Sequence, residues 1–210
     1  MPHRIPAEIK LPDFQDRPKK QGDILRTAER LFMLYGHNKV SVEEICREAG
    51  VSKVTFYKYF PNKIAVLEDY MKSRLKLGYE TFMRIIEADA SLMEKLQAMI
   101  AMKESAVTKF TPAFLSSFLV DDVNIAGLMT EWQDMGFESM RQLFVKAQAQ
   151  GEIHPQYNVD FLLHVWMVMA SDARSEEALK IYGDDYVKLT NDFMNFLVYG
   201  TTGPPREDPK

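Results

Sequence analysis

The chain has 210 residues, 46% of them apolar and 27% charged, which is typical of one or two globular domains and excludes long disorder. Its most apolar stretch, residues 161–170, is half of the roughly 20 residues that a membrane-spanning helix needs, so we expect no membrane partner. The single cysteine, Cys46, excludes an internal disulfide framework and a cysteine-based zinc cluster. With no apolar signal segment in residues 1–14, a cytoplasmic location is expected.

Charge is distributed unevenly along the chain. The formal net charge is −4, yet residues 17–63 carry 10 Lys or Arg against 5 Asp or Glu, while the remainder carries 16 against 25. An electropositive quarter on an acidic chain is the asymmetry expected where one end meets a polyanion. Chance clustering explains the charge pattern equally well until other observations are added.

The first two helices are predicted from spacing and capping residues. Apolar residues recur at intervals of three and four over residues 24–35, and Gly36 follows at a position typical of a helix C-terminus. Ser41, with Glu44 three residues on, is typical of a capping box that begins a second helix of about two turns.

A sharp turn and a third helix are predicted next. Gly50 ends the second helix, and Ser52 caps a third that runs to about Phe60. Two short helices joined in this way predict a helix-turn-helix. The residues expected to pack the two helices together are Ile45, Ala49, Val51, Phe56 and Phe60.

The rest of the chain is also predicted to be helical, so the fold class is all-α. No alternating strand pattern is found. Further helices are predicted over residues 62–88, 91–109, 112–119, 122–150, 158–180 and 184–200. We expect a flexible arm (1–17), a helix-turn-helix domain (18–61), a helical regulatory and dimerisation domain (62–200) and a flexible tail (201–210).

Residues 20–70 resemble the TetR family of bacterial transcriptional repressors. The resemblance rests on the turn Ala49-Gly50-Val51-Ser52 and on the segment GVSKVTFYKYFPNK that begins at Gly50. It implies a three-helix DNA-binding domain joined by a long helix to a larger ligand-binding and dimerisation domain. It also implies a homodimer on double-stranded operator DNA.

The resemblance implies roles for eight residues in DNA binding. Lys53, Val54 and Tyr57 match recognition-helix positions that face bases or flanking sugar-phosphate. Positions that face phosphates are matched by Thr55, Lys58, Tyr59 and Lys63, and Ser41 matches a phosphate-contacting helix cap.

Two residues depart from the family pattern. Val54 stands where many relatives have Gly, so a larger side chain points towards the groove. Glu43 stands where some relatives place a basic, base-reading residue. A carboxylate there either accepts from a cytosine amino group or repels phosphate, and both alternatives stay open.

Residues 62–200 are expected to hold a cavity for a small apolar or amphipathic effector. The resemblance places this cavity among the helices of residues 91–150, and flexible Met and aromatic side chains suit an adaptable pocket. The candidate pocket residues are Phe110, Phe114, Trp132, Met135, Met140, His164 and Trp166. The alternative is plain core packing, and for His164 a hydrogen-bonded core position.

A homodimer interface is predicted for the last two helices. Residues 161–170 are apolar on nearly every side of a helix, so every side must be covered. One side is expected to pack on its own chain and the other on a partner, together with residues 184–200. Burial within one chain is the alternative.

Enzymatic function is not expected, and neither is a cofactor or a bound metal. The four His residues are scattered, and no nucleophile-elbow, P-loop, dinucleotide-binding or zinc-protease motif is present. The sequence favours a ligand-released repressor. A DNA-binding regulator without an effector and an unrelated all-α enzyme are the alternatives.

Overall fold

The structure is a computed structural model that describes residues 5–107, 111, 114, 123–172, 180, 181, 188, 192 and 196. All secondary structure within these residues is helical, which confirms the all-α fold class. The helices are α1 (Lys19–Tyr35), a 3₁₀ turn (His37–Lys39), α2 (Val42–Glu48), α3 (Lys53–Tyr59), α4 (Lys63–Glu87), α5 (Leu92–Val107), α6 (Val123–Ala149) and α7 (Val159–Asp172).

Several predicted segments lie outside the described residues. They are the helix over 112–119 apart from Phe114, the helix over 184–200 apart from residues 188, 192 and 196, residues 173–179 of the helix over 158–180, and the tail. Among the helices that the structure describes, none combines the length and apolarity needed to cross a membrane.

Capping predictions for the two short helices are confirmed. The Ser41 hydroxyl accepts a hydrogen bond from the Glu44 backbone N–H at 3.1 Å, and the Ser52 hydroxyl accepts one from Thr55 N–H at 3.1 Å. Each bond satisfies one of the N–H groups that a helix start leaves without an intrahelical partner. Helices α2 and α3 therefore begin where their serines place them.

The chain forms two compact units, one of which comprises Glu8–Thr81 and Met102–Asp134. We call this the head unit. Its core joins α1, α2 and α3 to α4, because Val66, Leu67 and Tyr70 of α4 are completely buried with Ile24, Phe32, Ile45 and Phe56. The predicted domain boundary after residue 61 therefore lies inside this packed region.

The segment before α1 is packed in its second half. Ile9 and Phe14 are buried, and Phe14 belongs to the core of the head unit. Arg17 Nη2 donates to Asp69 Oδ1 of α4 at 2.7 Å. Residues 9–17 thus differ from the flexible arm that the sequence predicted.

The other unit comprises Met1–Ala7, Phe82–Ala101 and Met135–Lys210. Its described part is tied together by Glu152, whose Oε2 accepts from the Leu92 backbone N–H at the start of α5 at 2.6 Å. Arg141 of α6 also donates to Asp160 of α7 at 2.8 Å. Buried residues of α6, α7 and the turn between them are Met140, Leu143, Phe144, Ala147, Ile153, Leu162 and Leu163.

Candidate nucleic-acid interface

The turn between α2 and α3 has the geometry of a Schellman motif. Gly50 has φ +62°, Val51 N–H donates to Cys46 O at 3.0 Å, and Gly50 N–H donates to Arg47 O at 3.3 Å. No heavy atom lies within 4 Å of a Cβ added at Gly50. The backbone conformation, and not lack of space, therefore favours glycine here.

One side of α3 is buried and the opposite side is exposed. Phe56 is completely buried between the helices, and Phe60, just beyond the helix, is 3% exposed. On the other side Val54 is 82% exposed and Tyr57 is 53% exposed, with Lys53 and Lys58 exposed beside them. We call the set Lys53, Val54, Tyr57 and Lys58 the recognition face.

Three more predicted DNA-binding residues flank this face. Each of them already makes a contact within the chain. Thr55 and Tyr59 are half-buried, and the Thr55 hydroxyl lies 3.0 Å from that of Ser52. The Lys58 ammonium lies 5.8 Å from the centre of the Tyr59 ring, at the outer limit of a cation–π contact. Ser41 is exposed, and its hydroxyl caps α2.

An ion pair joins the two helices at the edge of the recognition face. Lys53 Nζ donates to Glu43 Oε1, from the first residue of α3 to the first turn of α2. The hydrogen bond from Lys53 lowers the pKa of Glu43, and the same bond raises the pKa of Lys53. In this conformation Glu43 neutralises the charge of Lys53.

Lys63 differs from the other predicted phosphate contacts because its ammonium binds within the chain. It donates to the carbonyl oxygens of His37 and Val40 at 2.6 Å each and to that of Asn38 at 3.4 Å. An ammonium has three N–H donors, so these carbonyls use them all. Burial lowers the pKa of Lys63. A phosphate contact by Lys63 would require breaking one of these bonds.

The predicted pocket residues are distributed over both units. In the head unit, Phe114 is 1% exposed and packs against the Tyr70 ring. Trp132 is half-buried, and its ring centre lies 5.5 Å from that of Tyr79. In the other unit Met140 is buried and Trp166 half-buried, whereas Met135 and His164 are exposed. Phe110 lies outside the described residues. An exposed His164 fits neither the pocket nor the core alternative within one chain.

A buried polar group in the head unit was missed by sequence reasoning. Glu29 of α1 is half-buried near Tyr70 and Arg74 of α4, and Arg74 is 6% exposed. Burial raises the pKa of Glu29 and of Tyr70, while the charge of Arg74 opposes both shifts. No spacing rule could have found this group, because its members meet only when α1 packs on α4.

The packed pair α2 and α3, with an exposed polar and basic side on α3, defines a helix-turn-helix protein. Residues 24–70 match the family model described as bacterial regulatory proteins, tetR family. The matched residues are those of the helix-turn-helix and the start of α4, so the chain is similar to the TetR family over this region.

Two similar proteins are transcriptional regulators. The transcriptional regulator EthR of Mycolicibacterium smegmatis is 30% identical over 99 residues, which span 47% of this chain and 41% of that relative. The transcriptional regulator AcuR of Cereibacter sphaeroides is 28% identical over 183 residues, spanning 79% of this chain and 80% of the relative. The match to EthR therefore covers less than half of either protein.

Two solved structures share the fold of the chain. FadR of Bacillus subtilis, in complex with stearoyl-CoA, has a TM-score of 0.65 and 20% identity over 85% of this chain and 97% of its own. A putative transcriptional regulator of Saccharomonospora viridis, in complex with choline, has a TM-score of 0.64 and 18% identity over 86% and 96%. At such identities the likeness concerns the fold.

Proposed function

We propose that the chain is a ligand-responsive transcriptional repressor that binds a palindromic operator as a homodimer. The observation that carries this proposal is the recognition face on α3. Its residues lie on the exposed side of a short helix whose other side is anchored by Phe56. A helix held in this way can enter the major groove of DNA while the helix before it crosses the backbone.

The chemistry of the recognition face suits duplex DNA. Lys58 supplies a positive charge for phosphate, and the Tyr57 hydroxyl can bind either backbone or base. Val54 presents an apolar surface of the kind that contacts a thymine methyl group. Ser41, Thr55 and Tyr59 flank this set, and the surrounding residues 17–63 have a positive charge balance.

Lys63 has a different role in this proposal from the phosphate contact that the sequence predicted for it. Its ammonium binds the carbonyl groups of His37 and Asn38 in the 3₁₀ turn and that of Val40 just after it, shortly before α2. We assign it the role of positioning α2 relative to α4. We assign phosphate binding to Lys58 and to the flanking residues Ser41, Thr55 and Tyr59.

The homodimer is supported by the surface of α7. Leu162 and Leu163 are buried in their own chain, whereas Phe161 is 59% exposed and Met167 and Val168 are each 49% exposed. An apolar helix side of this kind favours a partner protein surface. A two-fold dimer can hold two recognition helices about 34–36 Å apart, the spacing of successive major grooves on one face of B-DNA.

The effector is proposed to be a small apolar or amphipathic molecule. FadR of Bacillus subtilis binds stearoyl-CoA in its solved structure, and such a ligand has this character. In the head unit, Phe114 and Trp132 contact Tyr70 and Tyr79 of α4, so a ligand that repacks these rings would also move α4. Release of DNA then requires only that the ligand bind the moved state more tightly.

Selection of bound DNA tests the proposal. The full chain is mixed with fragmented genomic DNA of its source, the bound duplexes are sequenced, and the best is titrated with a panel of small molecules that begins with stearoyl-CoA. We expect a two-fold symmetric duplex to be enriched and at least one amphipathic molecule to release it. Failure to enrich any duplex contradicts DNA binding, and enrichment without release by any molecule contradicts the effector.

A further inference from the structure

The ion pair between Glu43 and Lys53 is not explained by a contribution to the stability of the fold. The Glu43 side chain is 61% exposed and that of Lys53 is 56% exposed. Ion pairs this exposed to water contribute little to the stability of a fold. A carboxylate beside the recognition face also repels the phosphate backbone. A ligand that uses the acid and the base together would account for the pair.

Both groups lie where base contacts are made. Lys53 is the first residue of α3, and N-terminal residues of a recognition helix contact base edges. Glu43 comes from α2, but its bond to Lys53 brings its carboxylate to the same end of α3. The pair thus places a donor beside an acceptor at the end of α3 from which a recognition helix contacts base edges.

A G·C base pair has the complementary arrangement. In the major groove guanine offers N7 and O6 as acceptors, and cytosine offers the N4 amino group as a donor. Guanine O6 and cytosine N4 are hydrogen-bonded to each other, so they lie about 2.9 Å apart. This spacing matches that of an ammonium and a carboxylate in contact. Lys53 can donate to O6 and N7 while Glu43 accepts from N4.

An A·T pair matches the ion pair less well. Thymine O4 and the adenine N6 amino group are also an acceptor beside a donor. However, O4 is a lone acceptor flanked by the thymine methyl group, whereas guanine offers Lys53 two acceptors on one edge. The comparison favours G·C over A·T.

Building on the proposed function, we propose that Glu43 and Lys53 act as one unit that reads a single G·C base pair in each half of the operator. In complexes with other sequences, Glu43 holds the Lys53 ammonium away from phosphate. Glu43 is then a specificity-determining residue that lowers affinity for the wrong DNA. Free protein keeps the pair closed, so little side-chain ordering is needed on binding.

Selection from a random pool of duplex DNA tests this assignment, using the full chain as wild type, Glu43→Ala, Lys53→Ala and Glu80→Ala. Glu80 pairs with Lys76 on α4, about 25 Å along the helix from Lys63, so its variant makes the same charge change away from the recognition face. We expect wild type and Glu80→Ala to share a constant G·C pair. Glu43→Ala and Lys53→Ala should lose discrimination at that pair by about 5- to 150-fold.

A second readout separates specificity from folding. Glu43→Ala frees Lys53 for phosphate, so binding to unselected duplex should strengthen and its salt slope should steepen by up to about 0.9 for each protomer. Thermal unfolding should stay at the wild-type temperature. If Glu43→Ala and Glu80→Ala select the same bases with the same salt slope, the inference is overturned while the proposed function stands. If wild type selects no duplex, the proposed function itself fails.

Discussion

The Nζ atom of Lys63, at the start of α4, lies 2.6 Å from the carbonyl oxygen of Val40, just before α2. The same ammonium donates to the carbonyl of His37. These bonds tie the start of α4 to the connection between α1 and α2. The position of α2, and with it of α3, depends on this contact.

Replacement of Lys63 should therefore affect stability. We expect Lys63→Met to lower the free energy of unfolding in urea by about 1–3 kcal/mol, since it removes charged hydrogen bonds to partly buried carbonyls. Lys72→Met is the control, because Lys72 makes an exposed pair with Glu68, which contributes about 0.5 kcal/mol or less. Equal stability of the two variants, with a flatter salt slope for Lys63→Met, would instead support the phosphate contact first predicted.

Local sequence rules predicted the helix ends well. The Ser41 and Ser52 caps act on N–H groups three residues away, and Gly50 acts through its own φ angle, so neighbouring residues contain the information. The burial of Phe56 and the exposure of Tyr57 likewise follow from helical spacing around the turn.

Contacts between distant residues could not be predicted in the same way. The carbonyl partners of Lys63 lie 23 to 26 residues before it, and the partner of Arg17 is 52 residues away. Phe14 is buried although no periodic pattern surrounds it. Such placements depend on how helices pack, and residue spacing along one helix does not contain them.

Removal of the Tyr57 ring should weaken DNA binding without unfolding the chain. The ring is 53% exposed on the recognition face, so Tyr57→Ala leaves the core intact. Loss of one good base contact typically costs about 1–3 kcal/mol of binding free energy. Tyr35→Ala, which removes a ring that is 51% exposed at the end of α1, is the matched control for anisotropy titrations. Equal affinity of both variants would mean that Tyr57 does not face DNA.

Glu29 should make stability depend on pH in a particular direction. Burial raises its pKa, so the folded state holds this proton more tightly than the unfolded state. Proton binding by Glu29 therefore stabilises the folded wild type at low pH, and this contribution is lost as pH rises through the folded pKa. Glu29→Gln does not titrate. From pH 4 to pH 7, the unfolding free energy of Glu29→Gln should therefore rise relative to that of the wild type.

Glu94 provides the opposite case as a control. Hydrogen bonds from the Ser91 hydroxyl and backbone N–H, at 2.7 and 2.9 Å, lower its pKa. The stabilisation it gives is present at neutral pH and is lost as pH falls through the folded pKa. Urea titrations from pH 4 to pH 7 should give opposite trends for Glu94→Gln and Glu29→Gln. Parallel trends would contradict the burial of a titrating Glu29.

A charge on the exposed side of α7 should separate the protomers. Phe161 is 59% exposed, so Phe161→Glu should leave each chain folded. Sedimentation at micromolar concentration should give a species near twice 24.3 kDa for wild type and near 24.3 kDa for the variant. Leu11→Glu places the same charge on a residue that is 53% exposed in the head unit, and it should stay dimeric. A wild-type monomer that binds a palindrome tightly would contradict the interface.

The salt dependence of duplex binding is the sharpest test of DNA binding by α3. With the selected operator, log affinity should fall linearly with log salt concentration, by about 0.9 for each phosphate contacted. Lys58→Ala should flatten the slope by about 0.9 for each protomer, while Lys76→Ala, an exposed lysine farther along α4, should keep the wild-type slope. An affinity independent of salt, or no binding to any genomic duplex, would contradict DNA binding by this chain.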